Sequence, residues 1–186
     1  MTGTRAQGFL ADIQAIRERA RTHIEQGAVT EAYGADRETI IRLLNEALAT
    51  ELVCVLRYKR HFHMASGIHA QAVTAEFAQH ALEEQQHADQ LAERIVQLKG
   101  EPNFDPEGLT QRSYSEYQEG DALLEMIKED LIAERVAIES YTELVRYIGD
   151  SDPTTRKLIV DILAVEENHA EDLSNLLAHI DDRRAA

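Results

Sequence analysis

Two short runs, Glu84-Gln85-Gln86-His87 and Glu166-Glu167-Asn168-His169, share the spacing Glu-x-x-His. On an α-helix residues three apart lie one turn apart on one face, so each run presents a carboxylate and an imidazole side by side. Either run alone says little. Each, however, falls where the apolar stripe of its helix calls for an inward residue. Two more glutamates, Glu51 and Glu134, fall at the equivalent inward points of two other helices. Such a chain must either place ionisable groups in its core or abandon its apolar pattern.

The stripes themselves are plain. Asp36 predicts the N-cap of a helix over about 37–64, carrying Ile40, Leu44, Leu48, Glu51, Val55, Tyr58 and Phe62 at steps of three or four. Gly67 marks a turn into a second helix over about 70–98, with Val73, Phe77, His80 or Ala81, Glu84, His87, Leu91, Ile95 and Leu98, ended by Gly100 as its C′ residue. A third runs over about 121–148 through Leu123, Ile127, Leu131, Glu134, Ile138, Tyr141, Val145 and Ile148. Asp152 and Pro153 start a fourth, with Ile159, Ile162, Glu166, His169, Leu173, Leu176 and Ile180 inward. No segment has strand periodicity. Pro102, Pro106, Gly108 and Gly120 make residues 100–119 a long connection, which lets the second and third helices run parallel. The fold class is therefore all-α: a four-helix bundle over 36–180 with a long crossover. Residues 1–35 form an N-terminal extension and 181–186 a short polar tail. In the extension, residues 5–26 carry Phe9, Leu10, Ile13, Ile16 and Ile24 near a helical period, predicting a short surface helix that packs on a neighbour, and Gly27 to Ala35 read as linker.

The two halves echo each other. Glu51 precedes Glu84 by 33 residues and Glu134 precedes Glu166 by 32. Each half is a helical hairpin with a Glu in mid-helix and then a Glu-x-x-His at similar height. Pairing the hairpins collects four carboxylates and two imidazoles at one level of the core. Left unpartnered, six such groups would overwhelm a domain stable by only ~5–15 kcal/mol. Two divalent cations remove the conflict, since four carboxylates balance two +2 charges. Mixed carboxylate and imidazole donors suit iron or manganese, and the scarcity of thiols argues against structural zinc.

Composition narrows the setting. Asp and Glu number 34 against 19 Lys and Arg, a net −15, which repels nucleic acid and favours cations. Arg5, Arg17, Arg19 and Arg21 make the N-terminal segment the least acidic part, but three acids and no Lys accompany them, so a nucleic-acid arm is not expected. No run approaches the ~20 apolar residues of a membrane span. The single Cys54 excludes an internal disulfide and suits a reducing cytoplasm; a small buried side chain is expected there in place of a redox role.

Four segments carry a resemblance: Glu51 through Tyr58 (ELVCVLRY), 83–89 (EEQQHAD), 130–134 (DLIAE) and 166–172 (EENHAED). They resemble bacterioferritin motifs, within a likeness spanning roughly 37–180, and so imply a ferritin-like bundle. The resemblance implies that Glu51, Glu84, His87, Glu134, Glu166 and His169 ligate a di-iron ferroxidase centre within one subunit. Glu84 and Glu166 would bridge or cap the metals, and Tyr58 matches the tyrosine beside that centre. It implies Fe2+ oxidation by O2 or H2O2 for iron storage or detoxification in a homo-oligomeric cage. The alternatives are a di-iron or di-manganese peroxidase or catalase without storage and a structural DNA-binding protein of the Dps kind.

The departures from that pattern are informative. Where bacterioferritin holds haem by a Met directly after the second-helix ligand Glu, this chain has Gln85, and neither Met64 nor Met126 matches that position. Haem is therefore not expected. The crossover is longer and no sequence remains for a fifth helix. In this the chain is more similar to Dps-like proteins with a bacterioferritin-type site, although the cysteine pair described in some of them is not matched by Cys54 alone. Twelve subunits are accordingly favoured over twenty-four.

Overall fold

The computed structural model describes residues 12–67 and 70–185, with side chains as far as residue 180. The fold is an all-α four-helix bundle. Its long helices are α2 (Arg37–Met64), α3 (Ala70–Gln97), α5 (Leu123–Ile148) and α6 (Pro153–Ala185); α1 (Ile13–Arg19) and α4 (Leu109–Arg112) are short. Helices α2 and α3 pack as one hairpin and α5 and α6 as the other; the hairpins meet along α2 against α5 and α3 against α6. No strand occurs among the described residues.

The expected helix starts hold in detail. The Asp36 carboxylate accepts from the Thr39 hydroxyl at 2.7 Å, and Asp152 accepts from the Thr155 amide at 2.9 Å, with Pro153 opening α6. Asp152 does more than cap. It also accepts from both Arg94 on α3, at 2.9 Å, and the Tyr33 hydroxyl, at 2.9 Å. The 27–35 segment expected as plain linker is thereby docked on the bundle, with Val29 and Tyr33 against the core.

Four expectations are corrected. The C′ residue of α3 is Lys99, at φ +64°, while Gly100 donates its amide to Ile95 at 2.9 Å. Gly100 is required for another reason: a Cβ there would stand 2.7 Å from Ile41 Cγ2. Phe62, expected inward, is 40% exposed, and His61 is buried in its place because it bonds to Asp130 and to the crossover. Among the described residues of the N-terminal segment, Ile13–Arg19 is α-helical and Ile24–Gln26 forms a 3-10 turn. No residue of α1 is buried among the described residues, so the expected packing on a neighbour is not seen there. Arg5, Phe9 and Leu10 lie outside the described residues. Finally, α6 runs to Ala185, past the expected end at Ile180, since the Asp, Arg and Ala that follow do not break a helix.

Two apolar clusters fill the bundle, one on either side of a polar belt. One joins Ile40, Leu44, Leu91, Ile95, Ile148 and Ile159; the other joins Val73, Phe77, Met126, Ile127 and Leu173. Burying each large side chain contributes about 1.5–3 kcal/mol, which lets the bundle carry the belt between them. The crossover is stapled along α2. Asn45 accepts from the Asn103 amide at 2.7 Å, Thr50 from the Tyr114 amide at 2.9 Å, and Tyr114 donates to Glu46 at 2.9 Å.

Candidate metal centre

The polar belt contains all six residues singled out by the stripes. Glu51, Glu84, His87, Glu134, Glu166 and His169 are each at most 5% exposed, and they converge from α2, α3, α5 and α6. They fall into two overlapping sets whose ligand-type atoms lie within 4.8 Å of one another: Glu51, Glu84, His87 and Glu166, and Glu84, Glu134, Glu166 and His169. The overlap is orderly. His87 Nδ1 faces Glu166 Oε1 at 2.9 Å, Glu51 Oε2 at 3.3 Å and Glu84 Oε2 at 3.8 Å. His169 Nδ1 faces Glu84 Oε1 at 3.3 Å, Glu166 Oε2 at 3.4 Å and Glu134 Oε2 at 3.9 Å. Glu84 and Glu166 thus turn one oxygen to each histidine, whereas Glu51 and Glu134 each serve one side.

Several of these atoms stand close to one another yet make no hydrogen bond of acceptable geometry. Glu84 Oε1, Glu134 Oε2, both Glu166 oxygens and His169 Nδ1 are buried without a hydrogen-bond partner; among the described residues Arg112 Nε is the sole other such side-chain atom. Each orphan of this kind costs about 1–3 kcal/mol, so five together rival the stability of the whole domain. The donor set fits a pair of cations. It is rich in oxygen, has one imidazole per side and two carboxylates placed to span both positions.

Without cations, protons compensate. Burial, with the adjacent Glu84 charge, pushes the Glu51 carboxyl up to about 8. Burial, Glu84 and Glu166 push Glu134 well above the usual carboxylate range. Burial opposes charge on His169, but Glu166 and Glu84 overcome it and raise the imidazole to about 11. His87 is likewise raised against burial by Glu166, Glu51 and Glu84.

The surrounding side chains fix the set. The Tyr58 hydroxyl bonds to Glu134 Oε1, and the Tyr141 hydroxyl bonds to Glu51 Oε1. The Glu83 carboxylate faces His169 Nε2 at 2.7 Å, which leaves Nδ1 turned to the centre. His80 stacks on His169 with ring centroids 4.0 Å apart; burial and the neighbouring His169 charge push it down to about 4. Beyond Tyr58, Asp130 accepts from Arg57 Nε at 2.8 Å through one oxygen and pairs with His61 Nδ1 at 2.8 Å through the other, all three fully buried. Arg57 also donates to the Glu116 carbonyl at 2.9 Å, and His61 Nε2 meets the Glu119 carbonyl at 2.9 Å, so this triad clamps the crossover to α2 and α5. Cys54 is buried beside Arg57, and burial pushes its thiol up, the setting of an inert small side chain.

The stripes located the six belt residues and Tyr58. They placed Tyr141 inward but did not connect it with the carboxylates; the repeated seven-residue step from Glu51 to Tyr58 and from Glu134 to Tyr141 is the signal that finds it. Glu83, Arg57, His61 and Asp130 carried no comparable signal. Gln85 donates to Asp89 at 3.1 Å, beside a groove of about 510 Å³ lined by Lys59, Phe62, Ala81 and Leu82.

Relatives agree with this architecture. A bacterioferritin of Brucella melitensis is 31% identical over 150 residues, covering 78% of this chain and 88% of that one. A bacterioferritin of Mycobacterium avium is 29% identical over 143 residues, 76% of this chain and 86% of that one. Among solved structures, the dodecameric thioferritin described as the bacterioferritin-related protein from Bacteroides fragilis superposes with a TM-score of 0.79 at 30% identity, over 82% of this chain and 92% of that one. Dps from Thermosynechococcus elongatus shares the fold, with a TM-score of 0.72 at 22% identity, over 75% of this chain and 90% of that one. Residues 41–182 match the ferritin family profile, the ferritin-like domain, and with its four-helix bundle and polar belt the chain belongs to that family.

Proposed function

We propose that the protein is a ferroxidase that oxidises Fe2+ with O2 or H2O2 and stores or detoxifies the product in a homo-oligomeric cage. The observation that carries this reading is the pair of overlapping donor sets with five orphaned, buried ligand atoms. The likeness to bacterioferritins and to a dodecameric bacterioferritin-related protein supports it.

Each residue then has a task. Glu51 and His87 hold one substrate Fe2+, Glu134 and His169 hold the other, and Glu84 and Glu166 span the two. Tyr141 and Tyr58 keep Glu51 and Glu134 from swinging away. Glu83 keeps the His169 lone pair directed inward. Loading displaces the protons held by Glu51, Glu134, His87 and His169. Two ferrous ions together supply two electrons, which reduce H2O2 and two protons to two waters, or O2 and two protons to H2O2. Haem has no part in this scheme: the residue after Glu84 is Gln85, whose amide is occupied with Asp89 and is a poor ligand for haem iron.

The test is stoichiometry and rate together. The protein should bind two Fe2+ per chain under anaerobic conditions. Glu51→Ala and Glu134→Ala should each slow oxidation by more than about tenfold with helicity kept. Parent rates in both variants would overturn the assignment. Repeated peroxide turnover without accumulation of ferric mineral would move it to a peroxidase or catalase with resident iron or manganese.

A further inference from the structure

A second group of ligand-type side chains stands next to the belt. Glu76 and His80 are one turn apart on α3, and His80 is one turn before Glu84. Asp172 is one turn after His169 on α6. Helices α3 and α6 run antiparallel, so both steps lead the same way, and the three residues continue the line of donors by one turn toward solvent. The His80 side chain is 1% exposed, while Glu76 and Asp172 are 42% and 54% exposed.

His80 Nε2 faces Glu76 Oε2 at 3.8 Å and Asp172 Oδ2 at 3.9 Å, both beyond hydrogen-bond reach. Elsewhere in this chain, carboxylates close on imidazole nitrogens to 2.7 Å, as Glu83 does on His169, and 2.8 Å, as Asp130 does on His61. Here two carboxylates stand off instead, although Glu76 has a flexible side chain in contact with water. Donors about 2.1 Å from a shared ion are about 3–4 Å from one another, which is the spacing observed. The other ring nitrogen, Nδ1, is engaged by the Tyr58 hydroxyl at 3.2 Å. Nε2 is therefore the free ring nitrogen, directed between the two acids.

We propose that Glu76, His80 and Asp172 form a third cation site, for a divalent first-row transition ion such as Fe2+ or Mn2+, on the α3/α6 face. One imidazole and two carboxylates suit such ions, and the solvent-facing side leaves room for water ligands. Because the His80 ring lies flat on His169, an ion held there is one ring from the centre, a staging position between solvent and the buried pair. The staging role rests on the dinuclear reading; the three-residue site itself stands on its own donors.

The test counts Co2+ bound per chain by metal-free protein, from visible absorption and calorimetry. The parent should bind three ions, Glu76→Gln/Asp172→Asn two, and Glu51→Ala/Glu84→Ala one. Both acids of the first variant are solvent-facing, so its fold is not at risk. Equal binding by the parent and Glu76→Gln/Asp172→Asn overturns the third site, and if both bind two ions the dinuclear reading stands. A parent that binds a single ion, lost in Glu76→Gln/Asp172→Asn and kept in Glu51→Ala/Glu84→Ala, supports the third site and removes the dinuclear reading.

Discussion

Tyr58 and Tyr141 exchange partners across the bundle: each bonds to the glutamate that stands seven residues before the other. Two turns of helix separate Glu51 from Tyr58 on α2 and Glu134 from Tyr141 on α5. The pseudo-twofold relation between the hairpins converts those two local spacings into two contacts between helices.

That reciprocity predicts matched phenotypes. Tyr58→Phe and Tyr141→Phe each free one carboxylate and should each slow Fe2+ oxidation by about 10- to 100-fold, within a few-fold of one another. Stopped-flow oxidation rates at fixed iron per chain measure this. A large loss in one variant beside a parent rate in the other would show that the two sides of the belt are not equivalent.

The raised pKa values set a pH dependence for the metal-free protein. For Glu51 (from 4.5 to about 8) and His169 (from 6.5 to about 11), the folded state binds protons more tightly than the unfolded. Their contribution is complete below the unfolded value and is lost as pH rises through the folded one, so stability falls between pH 5 and 8. Thermal scans of metal-free protein should show Tm dropping by several degrees or more across that range. Cations replace the protons, and the metal-loaded protein should lose much less.

Asp130 bonds to two buried partners, Arg57 and His61, and lies one turn before Glu134. Asp130→Ala strands Arg57 and His61 in the core and releases the crossover, so it should destabilise by about 3–5 kcal/mol. In a chain of this size that is roughly a 10 °C fall in Tm. Arg57→Ala should be comparably harmful, and the two losses should fall well short of additive in a double-mutant cycle.

Assembly is read from mass. Twelve chains of 21.0 kDa make about 252 kDa, against about 504 kDa for twenty-four. Light scattering coupled to size exclusion should give the smaller value. A stable dimer near 42 kDa would remove the cage, and with it the case for storage.

The bundle and its belt were legible because helical periodicity is a strong signal and a Glu in an apolar stripe is a sharp interruption of it. Glu51, Glu84, His87, Glu134, Glu166 and His169 each announced themselves in this way. The supporting shell did not. Glu83 and Arg57 sit among ordinary charged helix residues, and only the packing of α6 and the crossover shows that they face inward. Phe62 and His61 exchanged places for the same reason: an apolar residue is assigned to the core by pattern, but a histidine with two acceptors waiting is held there by its bonds. Gly100 was read as a conformational stop, whereas the constraint is the distance to Ile41.

The pairing of the hairpins has a consequence for how such a chain could be cut or rebuilt. Each half owns one Glu, one Glu-x-x-His and one tyrosine, so two copies of either half, related by a true twofold axis, would bring together the same inventory of donors. What distinguishes the halves includes a buried ion pair, Arg57 with Asp130. Arg57 lies six residues after Glu51, and the matching place after Glu134 is Ser140. Asp130 lies four residues before Glu134, and the matching place before Glu51 is Ala47. A pair of identical first halves would bury an arginine with no aspartate, and a pair of second halves the reverse. Arg94 of the first half and Asp152 of the second make another such pair, so each hairpin is completed by the unlike one and not by a copy of itself.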